Sequence, residues 1–216
     1  MSLLVPAQDP YGGNLGAVVD DDLFGLISVR SRITSRLWQE SPGTLYDMST
    51  STIRSAYDMW PQYNRRLREV IAAMSSDQLA IRPSADRWPI WATVGHTAGM
   101  RVYWICHVIG EPGAETTPFS DASGMGWEDD LEHPRGADEL AEALDSTWRL
   151  IEGCLDRWTP AMLADQIQRD YNGQLQVHVR SSILQRLFSH DAYHCGELSQ
   201  TLGIHGLPQI DLWRPD

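Results

Sequence analysis

One stretch near the end of the chain constrains the fold more than any other. Six residues follow one another at intervals of four, three, four, three and four: Ile183, Leu187, His190, His194, Glu197 and Thr201. This spacing places all six on one face of an α-helix, as in a seam that faces the core of a helical bundle. The stretch therefore predicts a helix over residues 181–202 whose buried face carries two histidines and a glutamate.

Buried histidines on such a face need partners for their ring nitrogens. His190 and His194 stand four positions apart, so their Cβ atoms lie about 5–6 Å from each other on a helix. Both rings can then reach one metal ion at about 2.0–2.1 Å. A single pair with this spacing also arises by chance in many helices, so the pair alone does not establish a metal site.

Three further long helices are expected from apolar periodicity and from their end signals. They cover residues 52–74, 89–108 and 137–158. Pro61 either kinks the first of these helices or begins it, because proline lacks the N–H and crowds the preceding turn. Pro89 is well suited to the first position of the second.

The connections and the N-terminal region differ in composition from these helices. Residues 111–136 are rich in Gly, Pro, Ser and acidic residues and are expected to form a loop. Residues 166–180 contain Asn-Gly at their centre, which favours a short β-hairpin. Residues 1–48 are expected to form an extension with one amphipathic helix, and residues 49–216 the bundle domain.

A weak internal repeat points to a third histidine. Residues 75–79 and 159–163 are both short capped turns of the form Ser/Thr-x-x-x-Leu that follow a long helix. In each half the next long helix carries a histidine, His96 in the first and His190 in the second. Gly99 shares the face of His96 and favours a close helix contact, which would offset its conformational cost. Three histidines around one ion leave a tetrahedral position open, as in catalytic zinc sites.

Two segments resemble the metal-ligand motifs of the DinB-like (damage-inducible) superfamily. Residues 87–96, Arg-Trp-Pro-Ile-Trp-Ala-Thr-Val-Gly-His, resemble its first ligand helix. Residues 189–198, Ser-His-Asp-Ala-Tyr-His-Cys-Gly-Glu-Leu, resemble its closing HDxxHxGQ-type motif. The resemblance covers about residues 50–212 and implies an all-α fold, a four-helix bundle with one long crossover connection.

The resemblance also implies a metal, a chemistry and an assembly. A divalent ion, zinc or nickel, would be held by His96, His190 and His194. Relatives include bacillithiol transferases and mycothiol-dependent maleylpyruvate isomerase, in which the metal activates a low-molecular-weight thiol, and members commonly form homodimers. The leading expectation is a metal-dependent enzyme that acts on a small molecule by thiol transfer, isomerisation or hydrolysis. The alternatives are a non-catalytic metal-binding sensor or scaffold, and a metal-free interaction module.

Glu197 stands where many members of the superfamily carry glutamine. It could orient a ligand, bind the ion, act as a general base or simply be a charge at the rim, and it is the candidate catalytic residue. Asp191 is expected to cap or pair away from the ion, with support of a metal-binding histidine as the alternative. Tyr103 is expected to pack in the core, with a substrate contact as the alternative. Cys195 neighbours His194 but points off the seam, so a nucleophilic role is not expected.

Charge and composition argue against several functional classes. The formal net charge is −12 and no basic tract compensates it, which disfavours nucleic acid and anionic lipid as partners. No stretch approaches the roughly 18 apolar residues of a membrane span, and the first residues do not resemble a signal peptide. The three cysteines lack CxxC spacing, which favours a reducing cytoplasmic location over a disulfide framework.

Overall fold

The structure, a computed structural model, describes residues 51–121 and 126–213. The predicted N-terminal helix and the whole predicted extension, residues 1–48, lie outside these ranges, so the domain division stays a prediction. None of the helices within the described ranges combines the length and the apolar character that a membrane crossing needs.

Five α-helices are the principal elements of the described structure. They are α1 (Trp60–Ala72), α2 (Ser76–Leu79), α3 (Ile90–Val102), α4 (Ala137–Arg157) and α5 (Arg180–Ile204). The long helices α1, α3, α4 and α5 correspond to the four that periodicity predicts. Both α1 and α3 pack against α4 and against α5, so the core lies between these four helices.

Local sequence sets where the first helices begin. Pro61 lies in the first turn of α1, so this helix begins at Trp60 and does not kink, and a 3-10 turn at Ile53–Tyr57 precedes it. Helix α2 has a capping box, in which Ser75 accepts a hydrogen bond from the Gln78 N–H while the Gln78 side chain accepts one from the Ser75 N–H.

Helix α3 continues as a π-helix over Tyr103–Val108. Together the two segments cover the predicted helix at 89–108. The wider π-turn changes the direction of the side chains that follow α3. It places Trp104 in a nearly buried position beside the hairpin described next.

A two-stranded antiparallel sheet lies between a 3-10 turn at Pro160–Ala164 and α5. Strand β1 (Gln166–Tyr171) pairs with β2 (Gln174–Val179), with Gln166 opposite Val179. The turn residues Asn172 and Gly173 have φ values of 54° and 77°, and two positive φ angles are typical of a type I′ hairpin turn. The hairpin prediction is confirmed. The all-α expectation is wrong in this respect, since the fold is mostly helical with one hairpin.

A buried ion pair links the helices at their centre. Arg101 of α3 donates to Asp191 of α5 with an Nη2–Oδ2 distance of 2.8 Å, and their side chains are only 1% and 2% exposed. Trp60 of α1 donates its indole N–H to the same carboxylate, while Arg101 also donates to Asn64 of α1 and to the Leu144 carbonyl of α4. The pair therefore ties all four long helices together, and Asp191 pairs away from the histidines, as expected.

The crossover between α3 and α4 is irregular but closely packed. Its described residues include short 3-10 helices at Ala114–Thr116 and Trp127–Asp129. A Cβ at Gly95 would lie 2.9 Å from Cβ of Trp127, and one at Gly99 would lie 3.3 Å from Cα of Gly126. The close contact expected at Gly99 is therefore made by the crossover, not by another long helix. Because the crossover lies directly on α3, Glu128 is placed beside His96.

Candidate metal centre

The three predicted histidines meet between α3 and α5. The Nε2 atom of His190 lies 3.0 Å from Nε2 of His96 and 3.2 Å from Nε2 of His194. One nitrogen from each ring lies within 4.8 Å of the other two. Among residues 51–121 and 126–213, no cysteine, carboxylate or further histidine joins this group.

Carboxylates bind the opposite nitrogens of two of the rings. Oε1 of Glu128 lies 2.5 Å from Nδ1 of His96, and Oε2 of Glu197 lies 2.9 Å from Nδ1 of His194. An ionised carboxylate only accepts hydrogen bonds, so each Nδ1 carries the proton and donates it. In a neutral ring the Nε2 atom then presents a lone pair, which is the form that ligates a metal.

The arrangement of the three Nε2 atoms fits a bound cation. The lone pairs of His96 and His194 both point towards Nε2 of His190. A proton on that nitrogen can serve one of them and not both. His190 also has a buried Nδ1 without a partner in the described part of the chain. A cation between the three Nε2 atoms would satisfy all of them at once, so the donor set fits a divalent metal.

Burial keeps these rings in the metal-binding form. It lowers the pKa of His190 to about 2, and the neighbouring histidines and Arg101 act in the same direction. Burial also lowers the pKa of His194, although the hydrogen bond that its Nδ1 donates to Glu197 opposes this shift. Both imidazoles are therefore neutral near pH 7, and no bound proton competes with an ion.

The two glutamates differ in origin and in exposure. Glu197 follows His194 on α5 and is 34% exposed, whereas Glu128 comes from the crossover and is 7% exposed. Each bonds to the ring nitrogen that faces away from the cluster, and this favours the orienting role among the interpretations of Glu197. Glu128 is absent from the sequence-based site. The signals that could have indicated it are the acidic composition of the crossover and the glycines beside His96.

Comparison with known proteins places this chain in a family. The sequence model of the DinB superfamily matches residues 62–198. This chain belongs to the DinB superfamily. The resemblance found in the two histidine motifs is therefore confirmed. The crystal structure of a DinB-like protein from Bacillus cereus ATCC 10987 has a TM-score of 0.54 to this chain, at 16% identity, and the match covers 75% of this chain and 97% of that one. That likeness shows the fold alone, and no curated protein matches the sequence.

Two aromatic rings flank the histidines of this DinB superfamily member. Trp88 lies with its ring centroid 5.1 Å from that of His96, and Tyr193 lies 5.1 Å from His194. Both side chains are exposed, and His96 is itself partly exposed. His96 can thus be reached from solvent, and the exposed rings of Trp88 and Tyr193 lie beside the cluster.

The remaining sequence candidates lie outside the cluster. Cys195 is buried, and burial raises the pKa of its thiol to about 12, which agrees with the expectation that it is not a nucleophile. The Tyr103 hydroxyl accepts a hydrogen bond from Arg169 of β1, so this ring contacts the hairpin as well as the core. His178 lies on β2.

Proposed function

We propose that this DinB superfamily member is a metal-dependent enzyme that acts on a small molecule by thiol transfer, isomerisation or hydrolysis. The observation that carries the proposal is the convergence of three Nε2 atoms with no fourth protein ligand among the described residues. A bound divalent ion would supply a Lewis acid that lowers the pKa of a thiol or of water at an open position. Imidazole donors suit either zinc or nickel.

The chain's own residues would prepare this site. Glu128 and Glu197 hold the Nδ1 protons of His96 and His194, which fixes the ring orientations and raises the basicity of Nε2. Glu197 is exposed enough to exchange a proton with solvent or substrate, so a general-base role remains part of the proposal. Trp88 and Tyr193 would contact the apolar part of a substrate and limit the entry of water.

The wider organisation is also proposed. The contacts of α1 and α3 with both α4 and α5 support a four-helix bundle, with residues 111–136 as its long crossover. Membership of the superfamily supports a homodimer. The three free cysteines support a reducing cytoplasmic location, and a low-molecular-weight thiol as co-substrate fits the same compartment.

Metal analysis of the purified protein tests the first step of the proposal. We expect about one ion per chain in the wild type and in His133→Ala, whose exposed ring pairs with Asp130 outside the cluster. We expect the ion to be lost in His194→Ala. Metal retained at the wild-type level in His194→Ala would exclude this centre.

Turnover and spectroscopy test the second step. The metal-loaded protein would be assayed with mycothiol, bacillithiol and glutathione against electrophilic small molecules. Metal-dependent turnover supports the enzyme. Absence of turnover, with a cobalt spectrum showing no exchangeable solvent ligand, would favour the non-catalytic sensor or scaffold.

A further inference from the structure

A second cluster of polar side chains lies one helical turn from the candidate metal centre. Arg186 precedes His190 by four residues on α5, so their Cβ atoms lie about 5–6 Å apart. The guanidinium carbon of Arg186 lies 4.8 Å from the ring centroid of Trp104, and that of Arg169 lies 4.9 Å from the same centroid. Two cations therefore share one indole between α3, α5 and the hairpin.

Neither guanidinium has a carboxylate partner within the described ranges, although the whole chain carries a net charge of −12. Arg186 is exposed. Arg169 donates from Nε to the Gln176 side chain at 2.9 Å and from Nη1 to the Tyr103 hydroxyl at 2.5 Å. Both acceptors are neutral, so no residue of the described ranges compensates the charge of Arg169.

The acidic side chains of the hairpin region bind elsewhere. Asp165 pairs with Arg180 at 3.4 Å, and Asp170 accepts the Gly173 N–H at 2.8 Å. The repulsion between the two guanidinium groups at Trp104 is therefore not offset by a neighbouring acid of the hairpin. An anion from solution would offset it.

A third polar group faces the same indole. The ring of His178 lies with its centroid 5.4 Å from that of Trp104, in an edge-to-face arrangement. Its Nε2 atom is buried and has no partner in the described part of the protein. Burial lowers the pKa of His178, and the charges of Arg169 and Arg186 lower it further. In the tautomer with its proton on Nε2, the neutral ring can donate one hydrogen bond to the oxygen of a ligand.

We propose that Arg186 and Arg169, with His178, bind the carboxylate of a small-molecule substrate whose reactive group lies at the three histidines. This inference rests on the proposed function and names its substrate class. Guanidinium groups present N–H donors in a planar fork that matches a carboxylate, and stacking on Trp104 holds that fork in place. A carboxylate carries a single charge, so the negative chain opposes it less than a phosphate dianion.

A matched pair of thiols tests the inference on the cobalt-substituted protein. The probes are 3-mercaptopropionate and its uncharged amide, and the thiolate-to-cobalt absorption band reports their dissociation constants. We expect the wild type to bind the acid about tenfold more tightly than the amide, as a charge-assisted hydrogen bond allows. Arg186→Gln should remove this preference without weakening the amide, and Arg186→Lys should retain part of it.

The control is Arg149→Gln, which removes an exposed arginine on α4 that pairs with Glu142. We expect it to keep the wild-type preference for the acid. Equal affinities of the wild type for acid and amide would overturn the inference. An equal loss of both affinities in Arg186→Gln would also overturn it.

A second experiment needs no metal and separates failure of this subsite from failure of the proposed function. The arginine Nε–Hε resonances of the metal-free protein would be followed by NMR during titration with propionate. We expect a saturable shift of the Arg186 resonance, identified by its absence in Arg186→Gln, and none for Arg149. If Arg186 does not shift, the carboxylate site is wrong. If it shifts while neither thiol alters the cobalt spectrum, the fault lies in the proposed metal chemistry.

Discussion

Replacing Glu128 by alanine should weaken metal binding without unfolding the protein. The Oε1 atom of this residue lies 2.5 Å from Nδ1 of His96, and the carboxylate is 7% exposed. The hydrogen bond is therefore made where little water competes. Without it, the His96 ring can adopt either tautomer, and one of them places a proton on the nitrogen that should face the ion.

The expected loss can be estimated from this role. Removing the partner of a metal-binding histidine lowers metal affinity about 10- to 100-fold, or by about 1.4–2.7 kcal/mol. Stability without metal should change much less. The second oxygen of Glu128, Oε2, is buried with no partner in the described ranges, so removing the carboxylate also removes an unfavourable desolvation.

The assay is the zinc dissociation constant, measured by competition with a chromogenic chelator at pH 7.5. Glu132→Ala removes the same charge from an exposed position on the same crossover and should bind zinc like the wild type. Glu128→Gln keeps an accepting oxygen and should show an intermediate loss. A dissociation constant for Glu128→Ala within about threefold of the wild type would refute the orienting role, because that role requires about tenfold or more.

Three further predictions concern stability and packing. Asp191→Asn leaves the buried Arg101 charge unpaired, and urea unfolding should show a loss of about 3–5 kcal/mol. In the metal-free protein, the pKa of His190 is about 2 in the folded chain, against the ordinary value of 6.5 that applies in the unfolded chain. Between these values only the unfolded chain binds the proton, so unfolding free energy should fall by up to about 1.4 kcal/mol per pH unit as pH drops below about 6.5, and His190→Gln should reduce that slope. Gly95→Ala places a Cβ 2.9 Å from Trp127, which should displace the crossover and weaken zinc binding about tenfold.

Each of these predictions has an outcome that contradicts it. A loss below about 1 kcal/mol in Asp191→Asn would mean that the buried pair is not essential to the core. If the unfolding free energy of His190→Gln depends on pH as steeply as that of the wild type, groups other than His190 cause this dependence. Gly196→Ala is the control for Gly95, since its Cβ meets nothing within 4 Å, and it should stabilise α5 by about 0.5–1 kcal/mol. If Gly95→Ala and Gly196→Ala bind zinc equally well, the close packing of Trp127 on Gly95 is not needed for metal binding.

The sequence predicts those parts of the site that depend on local periodicity. His190 and His194 lie on one helix, so their separation follows from helical geometry once α5 is recognised. His96 lies on another helix, and only the repeat and the family motif connect it to them. The Asn-Gly turn predicts the hairpin for a similar local reason, because it requires two positive φ angles.

The parts that the sequence does not predict depend on tertiary packing of irregular segments. Glu128 reaches His96 because Gly95 and Gly99 allow the crossover to lie directly on α3, and no periodicity encodes that approach. Arg186 has no sequence signal, since an exposed helical arginine has no distinguishing pattern. Its stacking on Trp104 depends on the π-helical end of α3 and on the position of the hairpin.

The most direct test of the metal centre is X-ray absorption spectroscopy of the metal-loaded protein, compared with His96→Ala. We predict three imidazole nitrogens at about 2.0–2.1 Å from the ion in the wild type, and two in the variant when excess metal offsets its weaker binding. A sulfur ligand, or a carboxylate oxygen in place of one imidazole, would contradict the assignment. So would an unchanged spectrum in His96→Ala.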